Sequence, residues 1–365
     1  MLGPLLPLIS HEYSLTNTVS GALLSAHQVG NLVAVFFAGI VPFYLGRKRA
    51  LLALSSFVLV GFLMMVLTGN PIWLILGFLF TGISRGSISN FNNLIVNEAS
   101  GGSTYAFNFL HSIFAVGALL APFVVIGSTS VLGDAGWRVS VVITMSLIVV
   151  AMLLFSRAEI TDFTSEQKRA KLTYTFLRER RLWINIGILF FYICAEVIVA
   201  GWVVLYFIDS GIMTQQHAQM LASLWWFTML VGRLTIVIAG NRLNKKMRLI
   251  VMSIGTAVFY VFLLSSTGLA MIAIAMGGLG LSMSGMFPTC ISNIGKLMQK
   301  YPMSLGVLLV ISSAGGILMP LVIGVLSDTF GMFAGMSAVV VAILCMLVFV
   351  ALEVLGKFDE INDAA

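Results

Sequence analysis

Residues 30–68 read GNLVAVFFAGIVPFYLGRKRALLALSSFVLVGFLMMVLT, two apolar runs joined by the basic triplet Arg47-Lys48-Arg49. With the first run extended back to position 17, each supplies the ~20 apolar residues that an α-helix needs to cross a bilayer. Cytoplasmic loops collect Lys and Arg, and the bias orients the chain. The triplet therefore lies inside, between two membrane-crossing helices. The same grammar runs through the whole chain. Seventeen of the twenty Lys and Arg residues fall in five clusters: the triplet, Arg157 to Arg181, Arg242 to Arg248, Lys296 with Lys300, and Lys357. Between the clusters, spans are joined by connections poor in basic charge: Thr68 to Pro71, Gly127 to Trp137, Asp209 to Gln216, Ser265 to Gly268 and Asp328 to Gly331. The connection Glu98 to Ser103 also carries no base.

On this basis spans are predicted near 17–43, 50–68, 72–97, 104–127, 137–156, 182–208, 216–240, 249–266, 268–295, 303–326 and 331–354. Ahead of these eleven, Met1 to Ser10 is apolar but half a span long, and it has no signal-peptide cleavage site. The inside–outside alternation closes if this piece is the outer half of a first helix, so the expectation is twelve helices with the first incomplete. The expected division is a six-helix bundle over 1–156, a polar cytoplasmic linker over 157–181, and a second six-helix bundle with a short cytoplasmic tail over 182–365. Both termini are expected in the cytoplasm, and the chain in the bacterial inner membrane or plasma membrane as a monomer in contact with lipid.

Composition agrees with 59% hydrophobic residues, 9% charged residues and 35 glycines, the last suited to close helix packing in lipid. A formal charge of +6 would suggest nucleic acid in a soluble chain. Here the bases anchor loops, and no soluble stretch is long enough for a nucleic-acid module. Cys194, Cys290 and Cys345 lie in apolar runs without CxxC spacing, so neither disulfides nor metal are expected. There is no nucleophile–base constellation and no phosphate-cradling loop with its lysine, so the chain is expected to be no enzyme and to need no cofactor.

Two internal repeats mark related halves. The run from Gly30 to Gly39, followed by a basic loop, recurs as Gly232 to Gly240, each closing the second span of its half. Ala115-Val-Gly117-Ala-Leu-Leu-Ala-Pro122 recurs as Ala314-Gly-Gly316-Ile-Leu-Met-Pro320 in the fifth span of each half. Such repeats are typical of secondary transporters, whose solute site lies near the bilayer midplane.

At these residues the chain resembles the major facilitator superfamily. Gly39-Ile-Val-Pro-Phe43-Tyr44-Leu-Gly46-Arg47-Lys48 follows that family's loop between helices two and three, with Phe43 and Tyr44 where the family has Asp and Arg. Tyr192-Ile-Cys-Ala-Glu196-Val-Ile-Val-Ala-Gly-Trp202 in the seventh span and Gly285-Met-Phe-Pro288-Thr289-Cys-Ile-Ser292 in the tenth resemble its fucose–galactose–glucose:proton symporter branch. The resemblance implies two pseudo-symmetric six-helix bundles. It also implies uptake of sugars or similar small polar solutes by alternating access, coupled to protons or sodium.

Ionisable groups within spans are costly and face a cavity or one another. Glu196 is the carboxylate deepest in a span, about 20 Å from either end at ~1.5 Å per residue. With Tyr192, Val199 and Tyr206 on its helix face, it is a candidate for coupling-ion and sugar-hydroxyl binding. Arg85, mid-way along the fourth span, begins a polar stripe continued by Ser89, Asn92 and Asn93. Its guanidinium suits either a two-pronged grip on an anionic solute or pairing with Glu196. Asn108 and His111 in the fifth span, and His27 with Asn31 in the second, form further polar patches. Trp202 and Trp226 are candidates to stack on a sugar ring. Arg233, in the inner half of its span, serves as either a loop anchor or a solute contact. The alternative function is exchange of an organic anion such as a sugar acid through Arg85 and Arg233. A receptor-like, non-transporting role is the third.

Overall fold

The computed structural model describes residues 2–100, 104–158, 160, 175–239, 244–301 and 303–356, and within them the chain is helical throughout. Packing divides it into two compact units, Met1–Ala170 and Lys171–Ala365.

In the first unit the helices are α1 (Leu2–Glu12), α2 (Asn17–Leu45), α3 (Arg47–Leu67), α4 (Pro71–Ser100), α5 (Thr104–Leu132) and α6 (Trp137–Arg157). Each stretch expected to span is helical. Thr16 caps α2, its side chain accepting from the Val19 N–H, which satisfies one of the donors a helix start leaves bare. Gly46, at φ 78°, ends α2 and opens α3. At that positive φ an ordinary side chain would be strained, so the chain reverses at the glycine just before the basic triplet.

α4 is the axis of this unit, packing on both α2 and α3. The α2–α4 contact is backbone on backbone. A Cβ on Gly82 would strike the carbonyl of His27, and one on Gly86 would meet Ala34 and the Asn31 carbonyl 2.6 Å away. Gly30 returns the contact against Leu79. Without a strong hydrophobic drive between helices in lipid, small residues that allow this approach supply the packing. Ser84 adds a hydrogen bond from its hydroxyl to the Ser55 carbonyl of α3, at 3.0 Å.

Both ends of the unit are tied. At one end Arg47, its side chain 3% exposed, pairs with Glu98 at 2.8 Å. At the other end Arg138 and Trp137 both donate to the Glu12 carboxylate, and Tyr13 donates to the Met65 carbonyl.

The second unit contains α7 (Arg180–Gly201), α8 (Val203–Asp209), α9 (Gln215–Ala239), α10 (Lys245–Ser265), α11 (Leu269–Met283), α12 (Met286–Asn293), α13 (Gly295–Lys300), α14 (Met303–Phe330) and α15 (Met332–Leu355). Two expected spans are interrupted. The seventh breaks at Trp202, so Tyr206 lies on α8 beyond the break rather than on one uninterrupted face with Tyr192 and Glu196. The tenth breaks at Ser284–Gly285 and again at Ile294.

Helix pairings repeat between the units. Second packs with fourth (α2·α4, α9·α11), third with fourth (α3·α4, α10·α11), third with sixth (α3·α6, α10·α15), fifth with sixth (α5·α6, α14·α15) and first with fifth (α1·α5, α7·α14). Gly232, the counterpart of Gly30, presses on Ser284 as Gly30 presses on α4, whereas Gly315 meets the Phe190 carbonyl and Gly117 meets nothing within 4 Å.

Among the described residues nine helices are long and apolar enough to cross a membrane. α6 shows why lipid is their solvent: Val142, Leu147, Leu153 and Leu154 are all more than half exposed. No aqueous surface sustains such a stripe.

Candidate functional site

In the first unit the site is built on α4. Arg85 and Ser89 are exposed on it, while Asn92 and Asn93 are half-buried. At i, i+4, i+7 and i+8 they share one helix face, so the sequence-predicted stripe is present. What the sequence did not connect is His27. Its ring, 8% exposed, bridges α2 to α4, with Nδ1 at 3.0 Å from the Thr81 hydroxyl and Nε2 at 3.4 Å from Arg85 Nη1.

Hydrogen-bond capacity fixes the tautomer. Arg85 can only donate, so Nε2 carries the lone pair and Nδ1 the proton. The Thr81 hydroxyl accepts that proton and donates its own to the Phe78 carbonyl at 2.7 Å. The chain Arg85 → His27 → Thr81 → Phe78 carbonyl thus ends in backbone and holds the imidazole neutral. The guanidinium also lies 5.9 Å over the Phe114 ring of α5, within cation–π range. His27 is therefore a positioning group for Arg85. The side chains of Asn108 and His111 lie outside the described residues.

In the second unit the site is built on α7. Tyr192, fully buried, donates from its hydroxyl to Glu196 Oε1 at 2.9 Å, one helical turn away. The same hydroxyl lies 3.1 Å from the carbonyl oxygen of Met283, the last residue of α11 before the break. Glu196 itself is half-buried. Arg233 on α9 stands within electrostatic reach of Tyr192.

The indole of Trp202 is wholly enclosed at the α7–α8 junction, while Trp226 is half-buried and stands edge-on to Trp225 with ring centroids 4.8 Å apart. Near the C-terminal end of α15, Glu353, 1% exposed, accepts from Arg181 at 2.9 Å and Asn185 at 3.1 Å. Asn293 of α12 joins through Asn185 at 3.3 Å. A carboxylate so enclosed is tolerated only with such partners. Among the described residues no three His, Cys, Asp or Glu side chains gather as metal ligands.

Nine helices among the described residues that are long and apolar enough to cross a bilayer define a polytopic membrane protein. The chain belongs to the Major Facilitator Superfamily: the profile of that family matches residues 1–214. No curated protein sequence matches the chain.

Solved structures share its fold at low identity. The nucleoside transporter NupG superposes with a TM-score of 0.72 at 14% identity, covering 98% of this chain and 95% of that one. The superfamily transporter FucP in its outward conformation gives 0.63 at 18%, covering 96% and 93%. A bacterial homologue of the human lysosomal transporter Spinster, inward-facing and occupied, gives 0.72 at 14%, covering 96% and 92%. E. coli FucP is described as a fucose:proton symporter.

Proposed function

We propose that this transporter moves a sugar or similarly small polar solute by secondary active, ion-coupled transport, with Glu196 as the coupling group. The observation that carries the reading is a mid-span carboxylate hydrogen-bonded by a buried tyrosine. A charge at that depth is expensive unless it has a task, and a group that gains and loses a proton there can link solute movement to an ion gradient. The Tyr192-to-Trp202 and Gly285-to-Ser292 motifs, together with the fold likeness to a fucose:proton symporter, support a sugar-like solute. Ser89, Asn92 and Asn93 supply the neutral hydrogen-bonding groups that hydroxyls require.

The test is uptake into proteoliposomes of labelled hexoses, hexuronates and uridine, each with and without proton and sodium gradients. Accumulation of a neutral sugar under one gradient is expected. Accumulation of none under any gradient would overturn the reading.

One observation favours an anionic solute instead: Arg85 is exposed yet aimed by His27. If a carboxylated solute binds there, Arg85→Lys loses at least tenfold in affinity, because an ammonium cannot reproduce the planar two-pronged grip. For a neutral sugar the same change costs less than threefold.

The cell membrane is the proposed location, with bundles over 1–156 and 182–365, a cytoplasmic linker over 157–181, cytoplasmic termini and a monomeric state. Cysteines introduced at 48 and 246 are expected to react with an impermeant maleimide only from the cytoplasmic side. Labelling from outside alone would reverse the orientation.

A further inference from the structure

The Tyr192 hydroxyl has one proton and two acceptors. Glu196 Oε1 stands at 2.9 Å and the Met283 carbonyl at 3.1 Å, both within hydrogen-bond range. A phenol donates once and accepts through its lone pairs, so it serves only one of them as donor at a time. While Glu196 is ionised it attracts the phenolic proton, since a charge-assisted bond is about twice as strong as a neutral one. The Met283 carbonyl then faces a lone pair. Once Glu196 is protonated it brings its own O–H, which can donate to the tyrosine oxygen and leave the phenolic proton to turn to Met283.

Met283 closes α11, and the chain leaves the helix at Ser284–Gly285 before α12 begins. Carbonyls in the last turn of a helix lack intrahelical donors, so a hydrogen bond gained or lost there bears on the break itself.

We infer that Tyr192 reads the protonation state of Glu196 and passes it to the α11–α12 break, by turning its single proton between the Glu196 carboxylate and the Met283 carbonyl. The inference rests on the reading of Glu196 as the coupling group. The proton comes from water and forms a bond to Glu196 Oε, while the Tyr192 O–H bond is rotated and never broken. Arg233 of α9 and Cys290 of α12 stand within electrostatic reach of the Tyr192 hydroxyl. The other elements packed against α7 carry Glu353 and Cys345 on α15, Asp328 on α14, Tyr206 and Asp209 on α8, and Arg178 on the short turn Thr175–Arg178. Glu353 is taken up by Arg181 and Asn185.

The experiment is infrared difference spectroscopy of the full chain in proteoliposomes on acidification, with the proton as the only ligand. Wild type is expected to gain a protonated-carboxyl band and, with the same midpoint, a shift of a tyrosine C–O band. Glu196→Gln loses both, and Tyr192→Phe loses the tyrosine shift. A carboxyl band absent from Glu196→Gln, accompanied by unchanged tyrosine bands, would overturn the relay and leave Glu196 standing. Identical carboxyl spectra in wild type and Glu196→Gln would remove Glu196 from coupling and the relay with it.

Should Tyr192→Phe not fold, Tyr192→fluorotyrosine keeps the shape and gives a stronger donor and weaker acceptor. Both changes favour the ionised carboxylate, so the carboxyl midpoint moves to lower pH. An unmoved midpoint rejects the relay.

Discussion

Glu196→Gln abolishes gradient-driven accumulation while counterflow exchange of the same solute persists. The amide keeps the size and the hydrogen-bonding face of the side chain, and Tyr192 can still donate to its oxygen, so α7 retains its local partner. What is lost is the ability to alternate between charged and neutral, which is the whole of the link to the gradient. The accumulation ratio in proteoliposomes falls from many-fold to about one, a loss on the order of the imposed proton gradient, with each unit of pH corresponding to about 1.4 kcal/mol. Retained accumulation in this variant would assign Glu196 a purely structural role. Loss of exchange together with accumulation would place it in solute binding and not in coupling.

Gly82→Val is expected to leave almost no folded protein. Its first added carbon would occupy the space of the His27 carbonyl oxygen, with the Asn31 backbone nitrogen 3.0 Å away. Overpacking costs about 1–3 kcal/mol where side chains can yield. Here the obstacle is main chain in the middle of a helix, so the loss exceeds that range. A fluorescence-detected melting curve in detergent reads it, and a Tm within a few degrees of wild type would refute the close α2–α4 packing. Gly117→Ala is the control: a Cβ there meets nothing within 4 Å, so its Tm stays near that of wild type. The contrast separates a glycine required by packing from one that merely occupies an equivalent place in the repeat.

The spans were legible in the sequence because lipid imposes a length and an apolar composition on each, and the basic loops impose a direction. Arg85, Ser89, Asn92 and Asn93 were legible as a stripe because helical spacing alone gathers them. The break at Trp202 was not: Gly201 is tolerated within helices, and what stands there is a large enclosed indole. The break at Ser284–Gly285 was open to reading, because Pro288 has no N–H for the Ser284 carbonyl and its ring crowds that carbonyl one turn back.

Nor did the sequence pair Arg47 with Glu98. The loop motif drew notice for what replaces its acid and base, Phe43 and Tyr44. The partner of Arg47 stands fifty-one residues away in a connection remarked only for carrying no base. His27 was read only with Asn31 of its own span, because which residues of α2 and α4 lie level is set by the glycine contacts between them.

Those glycine contacts also determine where the molecule is able to bend. Where main chain rests on main chain, as between α2 and α4, there is no layer of side chains whose rotamers can absorb a displacement. The pair is incompressible, and a push on one helix is delivered undiminished to the other. α9 and α11 are joined in the same way through Gly280, whose added carbon would meet the Trp225 carbonyl at 2.6 Å. Each such pair is a lever of fixed shape. Deformation is then left to points where hydrogen-bond ladders are already interrupted, Trp202 and Ser284–Gly285, and both flank the turn of α7 that carries Tyr192 and Glu196: the stiffest parts of the second unit end where its chemistry begins.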